Sequence, residues 1–237
     1  MKTALVLSGG GMFGAWQAGA WRALAPHMHP DLVVGASVGS LNGWAIAGGI
    51  PPEDLIEFWM KPELAVLGNL PATIHGLVER YPLKTRYAVV LTDSLRVRPE
   101  IFCDGAVTWR HLAASCAIPF VLPQHRIGGR WYSDGGLLNP LPVWAAVDLG
   151  ATDIVAIHPI WPQPALLLKP LVSGFVRIFG HHPLVPEGVK VATLGTPPLG
   201  SISDALHWKR ENILRWTEAG YQAARAFCKN HFPSELS

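Results

Sequence analysis

Short apolar runs, most of them closed by glycine or proline, recur along this chain. Residues 4–7, 32–35, 87–92 and 153–157 each hold several apolar residues in succession, the pattern of strands buried on both faces of a parallel sheet. Residues 101–102 and 189–194 read as two further strands. Residues 128–133 read as the returning arm of a hairpin, closed by Asp134-Gly135-Gly136. Between these runs the period lengthens to that of helices. The spacing predicts helices over 15–24, over 41–48, from Pro51-Pro52-Glu53-Asp54 through Leu55, Phe58 and Trp59, over 108–117 up to the stop at Pro119, and over 141–149. Residues 62–82 read as loop and short helix. A long amphipathic helix is expected from about 203 to 230, capped by Ser203, with Gly220 its one weak point. Strands alternating with helices predict an α/β fold: a central, mainly parallel sheet covered by helices on both faces. We read residues 1–237 as a single domain without internal repeats.

Residues 160–186 interrupt that alternation. Prolines 162, 164, 170, 183 and 186 punctuate a stretch rich in Leu, Val, Phe and Ile. A lid or lipid-contacting cap and a helix packed on the core are equally good readings. Composition sharpens the question: the chain is 49% hydrophobic and 15% charged, with a mean hydropathy of +0.24. That apolar surplus implies a deep apolar pocket or a surface that meets lipid. The formal net charge of +2 and the absence of a basic run argue against nucleic acid as a partner. Cys103, Cys116 and Cys228 are odd in number and widely spaced, which suits core residues in a reducing compartment. The apolar start is too short for a signal peptide, and no run reaches membrane-spanning length. A cytoplasmic protein, in peripheral contact with a membrane surface at most, is the expectation. Nothing in the sequence speaks to oligomeric state.

The chemistry gathers around residues 33–40, Val-Val-Gly-Ala-Ser-Val-Gly-Ser. A β-branched run feeds Gly35-Ala36-Ser37-Val38-Gly39, and a helical pattern follows. This matches G-x-S-x-G, in which a serine sits on a sharp strand-to-helix turn. Its hydroxyl is then held at a helix N-terminus, where backbone N–H groups stabilise developing negative charge. A second glycine segment, Gly9-Gly10-Gly11-Met12-Phe13-Gly14, follows the first strand. Such a loop can cradle a phosphate. It lacks the Lys-Ser/Thr ending of a P-loop, and the acidic residue that a dinucleotide fold wants further on is replaced by Gly35 and Ser37. Loop N–H groups facing an oxyanion suit it better. Asp134 alone reads as a turn aspartate; following a glycine loop and G-x-S-x-G in this order, it reads as a partner of the serine.

Taken together, Gly-Gly-Gly-Met-Phe-Gly at 9–14, Gly-Ala-Ser-Val-Gly-Ser-Leu-Asn at 35–42 and Asp-Gly-Gly at 134–136 resemble the patatin-like phospholipase family. Ala114-Ser115-Cys116-Ala117-Ile118-Pro119 and Leu138-Asn139-Pro140-Leu141-Pro142-Val143 resemble the stretches around the family's aspartate. The similarity covers roughly residues 3–157, and the ordered combination is specific. It implies a three-layer patatin-like fold and a serine lipid acyl hydrolase of the phospholipase A or esterase type. It implies a Ser–Asp dyad, with Ser37 as nucleophile, Asp134 as general base, and Gly9, Gly10 and Gly11 as the oxyanion hole. Gly14, Gly35, Gly39, Gly135 and Gly136 complete the motifs, and no cofactor or metal is implied. One departure stands out. The family usually carries Arg or Lys where this chain has Phe13, and loss of that charge is the feature favouring a catalytically weak lipid-binding or regulatory protein. The substrate implied is a lipid or another acyl ester. His158, following the strand at 153–157, offers a rival Ser37…Asp134…His158 order, but no motif supports it. His181-His182 have no ligand partner at metal-binding spacing.

Overall fold

The computed structural model describes residues 2–159 and 184–232. The apolar runs become the middle of a sheet. Strands β1 (Thr3–Leu7), β2 (Leu32–Ala36), β3 (Arg86–Asp93), β7 (Asp153–Pro159) and β8 (Lys190–Thr196) pair in parallel in the order β3-β2-β1-β7-β8. Strands β4 (Arg98–Cys103), β5 (His125–Ile127) and β6 (Arg130–Ser133) add an antiparallel side. β4 pairs along β3, and β6 pairs with the end of β3 and with β5. The expected strand at 101–102 is thus the second half of β4, and the expected hairpin is β5–β6.

The two faces of the sheet differ in bulk. Leu5, Leu7, Val33, Tyr87, Val89, Leu91 and Ile157 face a large core shared with α1 (Gly14–Leu24), α2 (Val38–Ala47), α3 (Pro52–Trp59), α4 (Leu70–Arg80), α5 (Trp109–Ser115) and the long helix Arg210–His231. The other face offers Ala4, Val6, Val34, Ala36, Ala88, Val90 and Ala156, and against it pack Ala145 and Ala146 of α6 (Val143–Asp148). Period-two alternation gives each strand both faces, and small residues on one of them leave α6, a single short helix, room to cover the strands closely. This is the three-layer α/β arrangement that the alternation of elements predicts. The expectation for residues 160–186 falls mostly on residues outside those described; Leu184 and Val185 are exposed.

The helix expected over 203–230 is two helices. Ser201, not Ser203, caps the first, Ile202–Leu206: its Oγ accepts from the N–H of Asp204, and Asp204 Oδ2 accepts from the N–H of Ser201 at 3.0 Å. The chain is then extended at His207 and Lys209 before the long helix begins. The break has a packing reason. The first helix sits on the glycine loop, where a Cβ on Gly11 would lie 2.2 Å from the carbonyl oxygen of Ala205. The second lies on α1, and Trp208 between them donates its indole N–H to the carbonyl of Trp59 at 2.9 Å. Gly220 is no weak point. A Cβ there would lie 2.0 Å from the carbonyl oxygen of Trp16, and one on Gly19 would lie 1.9 Å from that of Thr217. The two glycines let the backbones of α1 and the long helix touch.

Candidate active site

Ser37 lies between the end of β2 and the start of α2, with φ 51° and ψ −133°. A non-glycine residue at positive φ is strained, and the surroundings hold it there. Its N–H donates to Ser115 Oγ at 2.9 Å, and Ser115 Oγ in turn donates to the carbonyl of Val90 at 2.8 Å. Its carbonyl accepts from both the N–H and the hydroxyl of Ser40. The glycines on either side are required by close approach. A Cβ on Gly35 would fall 2.3 Å from the carbonyl oxygen of Gly39, and one on Gly39 would fall 2.4 Å from that of Leu7. The turn therefore folds back on itself and against the end of β1.

Asp134 enters from the opposite direction. It follows β6, and its backbone N–H donates to the carbonyl of Ala117 while its own carbonyl accepts from Thr92 Oγ1. Gly135 passes so close to β3 that a Cβ would lie 1.8 Å from the carbonyl oxygen of Val90. The side chain is buried. Oδ2 accepts from the Ser37 hydroxyl at 2.6 Å, and Oδ1 accepts from the Gly136 N–H at 2.7 Å. Burial raises the Asp134 carboxyl to about 6, against the opposing pull of the bonds from Ser37 and Gly136. Two residues separated by 97 positions are thus joined directly, and no histidine stands between them. His158 lies within β7, one residue before its end, with Nδ1 unpartnered among the described residues, and burial lowers its pKa.

The glycine loop lies beside this pair. A Cβ on Gly9 would be 3.2 Å from Ser37 Cβ and 3.8 Å from its Oγ, and one on Gly136 would be 3.8 Å from Gly9 Cα. The Gly9 N–H is already donated to the carbonyl of Pro140 at 2.9 Å. Among the described residues, the N–H groups of Gly10, Gly11 and Met12 have no acceptor, and Gly10 and Gly11 are the two that follow Gly9 directly. Gln17 and Asn42 anchor the loop and the next turn: Gln17 Nε2 donates to the Ser8 carbonyl, and Asn42 Nδ2 donates to the Gly14 carbonyl and to Gln17 Oε1. Gly14 packs so tightly on Trp59 that a Cβ would meet the ring at 2.3 Å. Phe13 is fully buried, its ring edge-on to Trp216 at 4.9 Å. It fills the core and does not line the cleft.

That cleft opens above Ser37 and is apolar, walled by Met12, Val38, Leu41, Trp59, Leu70 and Ile118 among others. A cavity of about 700 Å³ between α3 and α4 holds none of these site residues. Among the described residues no three His, Cys, Asp or Glu side chains come together in a metal-binding group. No helix of the described residues is long and apolar enough to cross a membrane. Ser115, Asn42 and Gln17 are the positioning residues that sequence reasoning missed. Ser115 lies within a stretch quoted for its resemblance, and that was its only signal.

The family model described as patatin-like phospholipase matches residues 5–94 and 72–147. An NTE family protein of Mycobacterium tuberculosis, itself uncharacterised, is 29% identical over 196 residues, covering 73% of this chain and 54% of that protein. Lysophospholipase NTE1 of Debaryomyces hansenii is 27% identical over 216 residues, covering 77% of this chain and 14% of that protein. This chain thus spans about half the length of the mycobacterial relative and a small part of the yeast one. Among solved structures, VipD from Legionella pneumophila superposes with a TM-score of 0.56 at 13% identity, over 97% of this chain and 67% of that one, a likeness of fold alone. With more than half of its length matched by the family model, the chain belongs to the patatin-like phospholipase family.

Proposed function

We propose that the protein is a serine acyl hydrolase acting on lipid esters through Ser37 and Asp134. The observation that carries this reading is the 2.6 Å bond from the Ser37 hydroxyl to a buried carboxylate. As Ser37 Oγ attacks the ester carbonyl, its proton passes to Asp134. A carboxylate raised to about 6 is a better proton acceptor than an exposed one and is still ionised at neutral pH. The carbonyl oxygen becomes an oxyanion, for which the open N–H groups of Gly10 and Gly11 are the candidate donors, with Gly9 holding the loop in place. Collapse of the tetrahedral adduct breaks the ester bond. The leaving alcohol takes the proton from Asp134, and the acyl group stays on Ser37. Water, deprotonated by Asp134, then releases the fatty acid and restores the hydroxyl.

The apolar cleft and the family favour a lipid acyl chain over a small polar ester. The lysophospholipase relative makes a phospholipid or lysophospholipid the substrate to try first. Burial of Phe13 weakens the alternative of a catalytically weak lipid-binding protein, because the substituted side chain lies in the core and leaves the loop's backbone donors in place. The test is labelling with a fluorophosphonate, wild type against Ser37→Ala. Label that depends on Ser37 is expected; a folded wild type that takes no label refutes the proposal.

A further inference from the structure

Beside the cleft, loop 118–123 and α5 combine apolar exposure with a positive charge that no carboxylate pairs among the described residues. Between Asp104 and Asp134 the chain has no acidic residue, while it carries Arg110, Arg126 and Arg130. Arg130 is paired with Glu100 and Asp93. Arg110 and Arg126 are exposed, and no ion pair involves them among the described residues. The loop 118–123 lies between the helix and the hairpin that carry these arginines. Phe120 at its tip is fully exposed with φ +67°. An aromatic residue held in the left-handed region and given no burial in return is strain without local compensation. The loop is nevertheless fixed. The N–H groups of Val121 and Leu122 both donate to the carbonyl of Ile118, and Gln124 Nε2 donates to that of Ala117. Arg110 lies close enough to His125 for its charge to act there, and His125 borders a pocket with Val121, Leu122 and Pro123, so the arginine and the loop share a face; Arg126 and Trp131, opposite each other in the hairpin, point to the other face of the sheet. The inner side of the same loop, at Ile118 and Leu122, walls the Ser37 cleft.

We propose that loop 118–123 docks on an anionic lipid bilayer, with Phe120 and Val121 entering the interface and Arg110 meeting lipid phosphates. Aromatic rings are favoured at that depth, and arginine is attracted to the negative surface. A second copy of the chain is the poorer occupant, because a two-fold contact would bring like-charged arginines together. Docking would place the mouth of the cleft against the lipid, which gives the acyl-hydrolase reading its access route and rests on that reading for its purpose.

The experiment is co-sedimentation of the Ser37→Ala protein with vesicles of phosphatidylcholine, alone or mixed with phosphatidylglycerol. Binding without chemistry keeps failure of docking distinct from failure of catalysis. Binding to the mixed vesicles is expected, with little to phosphatidylcholine alone. Phe120→Gly should weaken it about tenfold and Arg110→Gln about fivefold. Phe120→Gly relieves the positive φ, so its melting temperature should equal or exceed that of the parent, which separates lost docking from lost folding. Absence of binding to mixed vesicles, undiminished binding by Phe120→Gly, or a dimer in light scattering that Phe120→Gly abolishes would each overturn the proposal.

Discussion

Asp134 carries two opposed consequences of the same burial. Its carboxyl is raised to about 6, so the proposed base is protonated and idle in mild acid. The acylation rate should therefore climb with pH along a limb with its midpoint near 6, read from initial rates on a soluble ester. Asp134→Asn should lower the rate about 10³-fold and remove that limb. Stability runs the other way. From the ordinary value of 3.8 up to 6, the native state holds a proton that the unfolded chain has released. Stability is therefore lost as pH rises through that window, on the order of 3 kcal/mol by neutral pH. Asp134→Asn should melt above wild type at neutral pH, and the gap should shrink as pH falls from 6 toward 3.8. At this scale the sequence exposed the motif glycines, Ser37 and Asp134, because each needs a residue type that few others can replace. It hid Ser115, whose bond to the Ser37 N–H spans 78 positions, and it could not tell that Phe13 turns into the core.

At the scale of elements, strand and helix positions were legible from periodicity, and the helix contacts were not. A glycine in an amphipathic helix reads as a weakness because propensity is local, whereas the contact that demands it belongs to another helix. Gly220 and Gly76 separate the two effects. Replacing a helical glycine by alanine gains about 1 kcal/mol from propensity alone. Nothing lies within 4 Å of a Cβ on Gly76 in α4, so Gly76→Ala should stabilise by about that amount. On Gly220 the added methyl would meet the Trp16 carbonyl oxygen at 2.0 Å. Overpacking of this kind costs about 1–3 kcal/mol or more and outweighs the propensity gain, so Gly220→Ala should destabilise. Urea denaturation of the two variants decides it, and equal shifts would mean that the helix crossing is looser than described. The break at His207–Lys209 escaped notice for the same reason: only the glycine loop and α1, both remote in sequence, require two helix directions there.

Across the whole molecule, alternation of strand and helix was enough to foresee a mainly parallel sheet between helical layers. On the antiparallel side the strand at 101–102 and the hairpin were legible, but their pairing with β3 was not, because short runs carry little information about their partners. Three histidines from different parts of the fold, His111 in α5, His125 in β5 and His158 in β7, enter the balance with Asp134. Burial lowers the pKa of His111, His125 and His158, with the charge of Arg110 adding to the effect at His125. His111 Nδ1 also accepts the Thr108 N–H that caps α5, a bond that protonation of that nitrogen would remove. As pH falls below 6.5, the unfolded chain gains protons on these rings before the native state does, so their contribution to stability is lost. Asp134 gains stability over much of the same window. The histidines and Asp134 therefore pull the unfolding free energy in opposite directions as pH falls below 6.5, and removing either one shows in the slope. Asp134→Asn, stripped of the compensating group, should decline more steeply, and His111→Gln, whose amide oxygen can keep the cap, less steeply. Urea unfolding across this range checks all three slopes. A slope for Asp134→Asn no steeper than that of wild type would mean that the buried carboxyl does not hold its proton in the folded state through this range.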